Sequence, residues 1–256
     1  MKRFWDKVEV AKMADGYAVL LDGKPIQLPG RPPGEGVLRL SGAAMAQAIA
    51  DEWQAAGSEK GGEMSFADTP LTRLVGTAQD RIAAAPEPVI DSLALYGESD
   101  LLCYRVEIPV ALARRQSQAW QPWLDWAAFA LDAPLRTTTG LAHVPQPNSS
   151  LRALRSAVAG FDVVTLAALG VAVPALGSLV LGLAMAFGEL DAADSYALGA
   201  LDELFQVEFW GEDVDAEARR RGVAEDIAVA GRLMTLVRAG SPARRDHSSS
   251  GDKGSG

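Results

Sequence analysis

The stretch VVTLAALGVAVPALGSLVLGLAMAFG, residues 163–188, decides between a membrane protein and a buried helical core. It holds 26 consecutive residues without a charged side chain, and a run of roughly 18 or more apolar residues is typical of a transmembrane helix. However, 13 of the 26 are Ala, Gly, Ser, Thr or Pro, which lowers the hydrophobicity. Gly170 and Pro174 predict a break into two helices, each too short to cross a hydrocarbon core of about 30 Å. We therefore expect two buried helices of a bundle.

The second half of this run has the pattern of a helix that is buried on most sides. Its large apolar side chains fall on one face: Leu176, Leu179, Val180, Leu183, Phe187 and Leu190. Small residues such as Gly182 lie away from that face, where another helix can approach closely. A membrane-anchored protein is the alternative, because Arg152 and Arg155 precede the run and no Lys or Arg follows it before Arg219.

The composition is that of a globular protein. Of the 256 residues, 48% are hydrophobic and 22% are charged, which is ordinary for a globular chain. The formal net charge of −9 argues against a nucleic-acid-binding protein, because contacts to phosphates need clustered Lys and Arg. An acidic protein can still bind a basic protein surface. We therefore expect a protein partner and no nucleic acid.

Cysteine and histidine are too scarce for an internal disulfide or a His/Cys metal site. Cys103 is the single cysteine, and His143 and His247 are the two histidines. We therefore expect no metal, no cofactor and a reducing compartment. The N-terminal sequence MKRFWDKVEV has neither an apolar signal core nor a long transit segment rich in Arg and Ser. These features predict a cytoplasmic bacterial protein.

The first 41 residues have the pattern of short β-strands. The segments DKVEVAKM, GYAVLLDG, KPIQLPG and GVLRLS alternate apolar and polar residues and are separated by turn residues. Asp22 and Gly23 are a two-residue hairpin signal, because the favoured hairpin turns need residues that tolerate a positive φ. The segment therefore predicts an antiparallel sheet.

Helical patterns follow these strands. Ser41 is the predicted N-cap of a helix that stops at Gly57, with Met45, Ile49 and Trp53 about one turn apart. Thr69 and Pro70 are the predicted N-cap and first residue of a second helix, which runs to about residue 85.

The two prolines of PEP, residues 86–88, are the predicted domain boundary, since they break a helix and stiffen a linker. The predicted fold class is α+β. It consists of a small, antiparallel β-rich domain with one or two helices (1–86), a larger, mainly α-helical domain (87–240) and a flexible tail (241–256). The helices predicted after the boundary span residues 89–97, 110–131, 149–159, 161–169, 175–190, 192–210 and 214–239.

Motifs for catalysis are absent from the sequence. It contains no Gly-rich phosphate loop, no G-x-S-x-G and no H-E-x-x-H, so we expect no enzyme. The alternative is an enzyme that uses His143 as a base or Cys103 as a nucleophile, since Arg105 near the thiol would favour the thiolate. A loop histidine that contacts backbone and a buried structural cysteine explain the same residues more simply.

Three tryptophans recur at every third residue in QAWQPWLDWAAFAL. Trp120, Trp123 and Trp126 are interpreted as packing residues between this helix and its neighbours, as are Trp5 and Trp53. A surface anchor is the alternative, because aromatic side chains are enriched at protein interfaces.

The segment LDELFQVEFWGEDVDAEARRR contains seven carboxylates between Asp202 and Glu217. Some of them form favourable i,i+4 pairs with arginines farther along the helix. Glu203 differs, because on a helix it shares a face with Tyr196 and Trp210. A carboxylate among aromatic side chains is either satisfied internally or offered to a cation of a partner, and the sequence leaves both possibilities open.

Six motifs, taken in order, resemble one known family. They are IADEWQAAG, TRLVGTAQD, SDLLCYRVEIP, QSQAWQPWLDWAAFAL, LGSLVLGLA and LDELFQVEFWGED. The chain is similar over about residues 4–239 to the assembly chaperones for the α subunit of the ATP synthase catalytic head, which occur in mitochondria and related bacteria. The most specific part is CYRVE followed by W-x-P-x-x-x-W and later by FQ-x-x-x-WG.

The resemblance implies a chaperone without catalysis, which binds the unassembled α subunit, prevents its aggregation and releases it when the β subunit replaces it. The family fold joins a β-rich domain to a helical domain. The acidic motif of the family falls on Glu203, with Asp202 beside it, so both are expected to bind the partner together with Tyr196 and Trp210. We expect structural roles for the motif residues Trp53, Trp120, Trp123, Trp126, Tyr104 and Arg105.

Two departures from the family limit what the resemblance implies. The chain lacks the targeting extension of mitochondrial members, and WGED is more acidic than in some relatives, which leaves contacts at Glu212 and Asp213 open. A monomer without stable membrane insertion is expected. A membrane-anchored assembly factor remains the alternative that rests on residues 163–188.

Overall fold

The computed structural model describes residues 1–32, 35–140, 142–211 and 213–240. An N-terminal antiparallel sheet precedes a mainly helical region, so the predicted α+β fold class is confirmed. The strands are β1 (Val8–Met13), β2 (Gly16–Leu21), β3 (Lys24–Pro25), β4 (Tyr104–Arg105) and β5 (Thr138–Thr139). The α-helices in the described residues are α1 (Ala43–Ala55), α2 (Pro70–Thr77), α3 (Glu87–Ala94), α4 (Val110–Ala130), α5 (Asn148–Ala159), α6 (Val163–Leu176), α7 (Leu179–Phe187), α8 (Ala192–Gly199), α9 (Leu201–Trp210) and α10 (Val214–Gly240).

The N-terminal sheet has the strand order β1-β2-β3. Asp22 and Gly23 join β2 to β3 with φ angles of 46° and 79°, which confirms the predicted hairpin. The prediction of a fourth strand in GVLRLS is wrong, because that segment makes isolated bridges, one of them between Leu40 and Tyr17. The outer edge of β2 is divided between β3 at one end and Leu40 at the other, so neither partner extends into a long strand.

The caps of the first two helices differ from the predicted ones. Gly42, and not Ser41, is the N-cap of α1, and no side chain caps that end. Thr69 is the N-cap of α2 but its side chain makes no capping bond. Glu52 of α1 supplies the cap instead, since its carboxylate accepts hydrogen bonds from the amides of Leu71 (2.7 Å) and Thr72 (3.2 Å). A capping group from another helix leaves no local signal in the sequence.

The apolar run forms two helices, as expected, but the predicted break at Gly170–Pro174 is wrong. Both residues lie within α6, and the break falls at Gly177 and Ser178. Gly177 ends α6 in the left-handed conformation with a φ of 63°, which costs glycine little. Ser178 then caps α7, accepting a hydrogen bond from the amide of Leu181 at 3.1 Å.

Helix α7 lies in the centre of the helical region, and all its residues from Leu179 to Ala186 are buried. A Cβ at Gly182 would lie 2.5 Å from Cγ2 of Val173, so α6 and α7 approach as closely as the small residue predicts. Among the described residues, no helix is both long and apolar enough to cross a membrane.

Charged side chains from other elements cap both ends of α7. Asp100 is fully buried and accepts hydrogen bonds from the hydroxyl of Ser178 (2.8 Å) and the amide of Val180 (3.0 Å) at the N-terminal end. Arg238 of α10 donates to the carbonyls of Met185 (2.9 Å) and Ala186 (3.2 Å) at the C-terminal end. An anion at the first turn and a cation at the last complement the helix dipole.

The buried side chains form one continuous hydrophobic core that extends across residues 86–88. Helix α1 packs against α10 where Gly42 and Gly240 allow their backbones to approach, since a Cβ at Gly42 would lie 3.3 Å from Cα of Gly240. The division into domains at this boundary stays a prediction. The predicted tail, 241–256, lies outside the described residues.

Candidate functional site

Helix α9, which carries the predicted partner-binding residues Asp202 and Glu203, is a surface helix. The sequence predicts one helix over 192–210, but Ala200 separates α8 from α9. Of the described side chains of α9, only that of Phe205 is buried. Its ring lies 4.7 Å from that of Phe209, and the guanidinium of Arg115 lies 5.0 Å from its centroid. A helix with so little buried surface needs other contacts to hold its position.

Two polar contacts join α9 to α4. Nε2 of Gln116, which is fully buried, donates to both carboxylate oxygens of Asp202 at 2.8 and 3.1 Å. Between one and two turns farther along α9, Glu208 forms an ion pair with Arg115 at 2.7 Å. Neither contact leaves a local signal in the sequence, because the paired residues lie 86 and 93 positions apart.

The contacts of Asp202 continue into the interior of the helical region. Oε1 of Gln116 accepts a hydrogen bond from the amide of Val106 at 2.8 Å, and Nη1 of Arg105 donates to the Gln116 carbonyl. Burial lowers the pKa of Arg105, while the charge of Asp202 acts in the opposite direction. Asp202 is thus engaged within the chain, whereas the sequence predicts contact with the partner.

Glu203 points away from these contacts and is exposed. It lines a cleft of about 130 Å³ between α6, α8 and α10, together with Tyr196, Arg219 and Arg220. No described hydrogen bond or ion pair involves the Glu203 carboxylate, although two arginines line the same cleft. Tyr196 is half-buried and packs against the core. The structure therefore brings Glu203 and Tyr196 together and leaves the carboxylate accessible.

Exposed apolar side chains flank the acidic ones where α9 meets α10. Phe209 is 63% exposed and Val214 is 78% exposed. Asp213 accepts a hydrogen bond from the amide of Ala216 at 2.9 Å and so caps the start of α10. Trp210 is the last residue of α9, but its side chain lies outside the described part of the structure, as does Glu212.

The residues with predicted structural roles make internal contacts. Trp53 is buried and donates through Nε1 to Oγ1 of Thr72 at 2.9 Å. Trp120 is fully buried, and its Nε1 donates a hydrogen bond to the Leu198 carbonyl at 3.0 Å. The guanidinium of Arg105 lies 5.2 Å from the centroid of the Trp120 ring.

The remaining residues of that group are half-buried: Tyr104, Arg105, Trp123 and Trp126. Nε and Nη2 of Arg105 are buried, and no hydrogen-bond partner for them lies in the described part of the chain. The guanidinium is therefore held mainly by the Trp120 ring and by the Gln116 carbonyl.

The two residues of the enzyme alternative, Cys103 and His143, lie in different surroundings. Cys103 is fully buried, and burial raises the pKa of its thiol to about 12. Such a thiol is not a nucleophile near neutral pH. His143 is exposed, and its Nδ1 lies 3.2 Å from the hydroxyl of Tyr104. Within the described residues, no group of three or more His, Cys, Asp or Glu could hold a metal ion.

Comparisons with known proteins identify the family. A family model described as ATP12 chaperone protein matches residues 2–128. The chain is similar to the solved structure of Atp12 from Paracoccus denitrificans, with 42% sequence identity over 93% of this chain and 98% of that chain, and a TM-score of 0.84. It is also similar to the Atu1473 protein from Agrobacterium tumefaciens, with 35% identity over 92% and 86% of the two chains and a TM-score of 0.82.

These matches define the protein as a chaperone. More specifically, the chain belongs to the ATP12 chaperone family and is a chaperone of ATP synthase assembly. The family that the sequence motifs predicted is thereby confirmed.

Proposed function

We propose that this chaperone binds the unassembled α subunit of the ATP synthase catalytic head and prevents its aggregation until the β subunit replaces it. Family membership supports the assembly role, and the sequence motifs support the α subunit as client. The observation that carries the proposal is the accessible carboxylate of Glu203 on the surface helix α9, which also carries the exposed side chain of Phe209 near its end.

This surface suits a client whose own interface is exposed. An unassembled subunit presents apolar surface that its partner later covers, and such surface promotes aggregation. Phe209 and Val214 offer apolar contact. Glu203, Asp213 and Asp215 are exposed carboxylates of the same segment, and their negative charge favours a client surface that carries Lys or Arg.

Glu203 is proposed as a direct contact to the client, and Asp202 as the residue that holds α9 in place. Glu203 is exposed and makes no described ion pair. Asp202, one residue earlier, is bound to Gln116 by two hydrogen bonds. The two neighbouring carboxylates therefore have different roles, although both were predicted to bind the partner.

Release of the client needs no chemistry in the chaperone. The β subunit binds the same surface of the client and removes it from the equilibrium, so mass action alone can drive release. We therefore propose that the protein is not an enzyme and that its affinity for the α subunit is moderate.

The proposal is tested by light scattering of the isolated α subunit, diluted from denaturant with and without the chaperone and in the absence of nucleotide. We expect scattering to fall as the chaperone approaches molar equivalence. Unchanged scattering at molar excess would show that the α subunit is not the client.

The role of Glu203 is tested by Glu203→Lys, with Glu59→Lys as a control that makes the same charge change on an exposed residue in the loop after α1. We expect Glu203→Lys to weaken protection at least roughly tenfold, because it places a cation against the basic client surface. Glu59→Lys should protect as the wild type does. Loss of helical circular dichroism in Glu203→Lys would instead assign Glu203 a structural role.

A further inference from the structure

A second group of aromatic side chains, partly exposed and separate from α9, lies at the C-terminal end of α4. We call Trp123, Trp126, Phe129, Phe161 and Phe187 the aromatic patch. The ring of Trp126 lies 6.3 Å from that of Trp123 and 6.1 Å from that of Phe187, which in turn lies 5.0 Å from Phe161. Phe129 follows Trp126 by three residues and so lies on the same face of α4.

The aromatic patch is accessible to a partner. Phe129 is 94% exposed and Phe187 is 44% exposed, while Trp123, Trp126 and Phe161 are half-buried. Scattered single apolar side chains are common on protein surfaces, but contiguous exposed aromatic rings mark interaction sites. The sequence favoured core packing for Trp123 and Trp126, and the structure places both at the edge of the core.

Carboxylates adjoin these rings along the chain. Asp125 precedes Trp126, Asp162 follows Phe161, and Glu189 lies two residues after Phe187. No described ion pair involves any of the three. Within the chain, the Asp162 carboxylate caps α6 through the amides of Val164 and Thr165, and that of Asp125 accepts a hydrogen bond from Gln121. The cation beside Gly188 is Arg238, and its guanidinium is directed at the carbonyls of α7.

We infer that the aromatic patch binds an apolar segment of a partner protein that carries Lys or Arg. The rings supply apolar contact and faces that attract cations, and the adjacent carboxylates supply the complementary charge. A second copy of this chain is a poor occupant, because a symmetric contact would bring the same negatively charged carboxylates together. On the function proposed above, the segment belongs to the client, but the chemistry of the patch stands without that identification.

The position of the patch suits a long segment. Trp126 follows Arg115 by 11 residues, which is about three helical turns, so both lie on one face of α4 roughly 16 Å apart. Arg115 contacts Phe205 of α9. A single extended or helical segment can therefore reach both the aromatic patch and the edge of α9.

The inference is tested with a thiol-reactive, environment-sensitive dye on Phe129→Cys. Selective labelling is possible because Cys103 is fully buried with a thiol pKa of about 12. Ser117→Cys is the matched control, since Ser117 is exposed on another face of the same helix. The full-length labelled variants are titrated with three synthetic peptides of equal length, built from Leu and Lys, from Leu and Glu, and from Ser and Lys.

We expect the Leu/Lys peptide to shift the emission of the dye at position 129 to shorter wavelength and to leave the dye at position 117 unchanged. Its affinity should exceed that of the other two peptides at least tenfold. Binding of the Leu/Lys peptide to unlabelled protein is followed by tryptophan fluorescence. Phe129→Ser or Asp125→Lys should weaken this binding at least fivefold, and the control Asp51→Lys, a charge reversal in α1, should leave it unchanged.

Several results would overturn the inference. The first is an equal response of the dye at positions 129 and 117, and the second is an affinity for the Leu/Glu peptide equal to that for the Leu/Lys peptide. The third is a dye shift that depends on protein concentration without peptide, which would show that a second copy of the chain occupies the patch. None of these experiments uses the α subunit. Failure here is therefore distinguishable from failure of the proposed client, which the scattering assay measures.

Discussion

Replacement of Asp100 tests how the central helix α7 is held in place. Asp100 accepts three buried hydrogen bonds, from the hydroxyl of Ser178 (2.8 Å), the amide of Val180 (3.0 Å) and the amide of Leu102 (3.1 Å). Each donor left unsatisfied in the interior costs about 1–3 kcal/mol. The Ser178 hydroxyl can turn to another acceptor and a carboxylate no longer has to be desolvated, so we expect Asp100→Ala to lower the free energy of unfolding by about 3 kcal/mol.

Urea denaturation followed by far-ultraviolet circular dichroism measures this loss. With a slope of about 3 kcal/mol per molar urea, the midpoint should fall by roughly 1 M at unchanged slope. Asp226→Ala is the control, since Asp226 is exposed on α10, and it should change the free energy of unfolding by less than about 0.5 kcal/mol. If Asp100→Ala also costs less than that, the cap does not stabilise α7 and the reasoning is refuted.

The pH dependence of Asp100→Asn gives a second measurement on the same residue. Burial raises the pKa of Asp100, although its hydrogen bonds act in the opposite direction. The folded state therefore binds this proton more tightly than the unfolded state, in which the pKa is about 3.9. The stability that Asp100 adds relative to the asparagine variant is thus largest below that value and falls as the pH rises through the higher pKa of the folded state. An increase over that window would contradict the raised pKa.

Three further changes test other buried groups. Glu52→Ala leaves the amides at the start of α2 without their acceptor. We expect it to lower the free energy of unfolding, measured in urea, by about 2 kcal/mol. A loss below about 0.5 kcal/mol would show that water replaces the cap. Arg238→Met removes the donors to the last carbonyls of α7 and should cost about 1–2 kcal/mol in the same assay, whereas a neutral result would mean that α7 needs no cap at this end. Cys103 should resist thiol reagents at about pH 8 in the native protein and react fully in urea, because it is buried with a pKa of about 12; rapid native labelling would contradict that burial.

Local patterns predicted much of the fold. The β2–β3 hairpin follows from Asp22-Gly23, since both residues take the positive φ that the turn requires. The helix pattern placed α4 and α10 to within one residue at either end. The many small residues within 163–188 correctly indicated two buried helices in place of a single span, and Gly182 allows α6 and α7 to pack closely.

Long-range contacts account for the differences. The break in the apolar run was predicted at Gly170–Pro174 but lies at Gly177–Ser178, where Asp100 binds Ser178 from 78 positions away. Pro174 remains in the last turn of α6. Asp100 gives no local signal, but Gly177 and Ser178 do, as a left-handed helix end and an N-cap. The periodicity of the apolar residues alone did not locate that break.

The candidate site was predicted in part for the same reason. An acidic residue in a helix with an aromatic face drew attention to Glu203, and the structure leaves that carboxylate accessible. The difference between Asp202 and Glu203 depends on Gln116, which lies 86 positions before Asp202. Only the folded chain distinguishes the residue that holds α9 from the residue that faces outward.

The most direct test of the central claim is a pull-down of the purified α subunit by the tagged chaperone, with and without the β subunit. The account predicts capture of the α subunit alone, in the absence of nucleotide, and its release from the chaperone when the β subunit is added in excess. Failure to capture the α subunit, or capture that excess β subunit leaves unchanged, would contradict the claim.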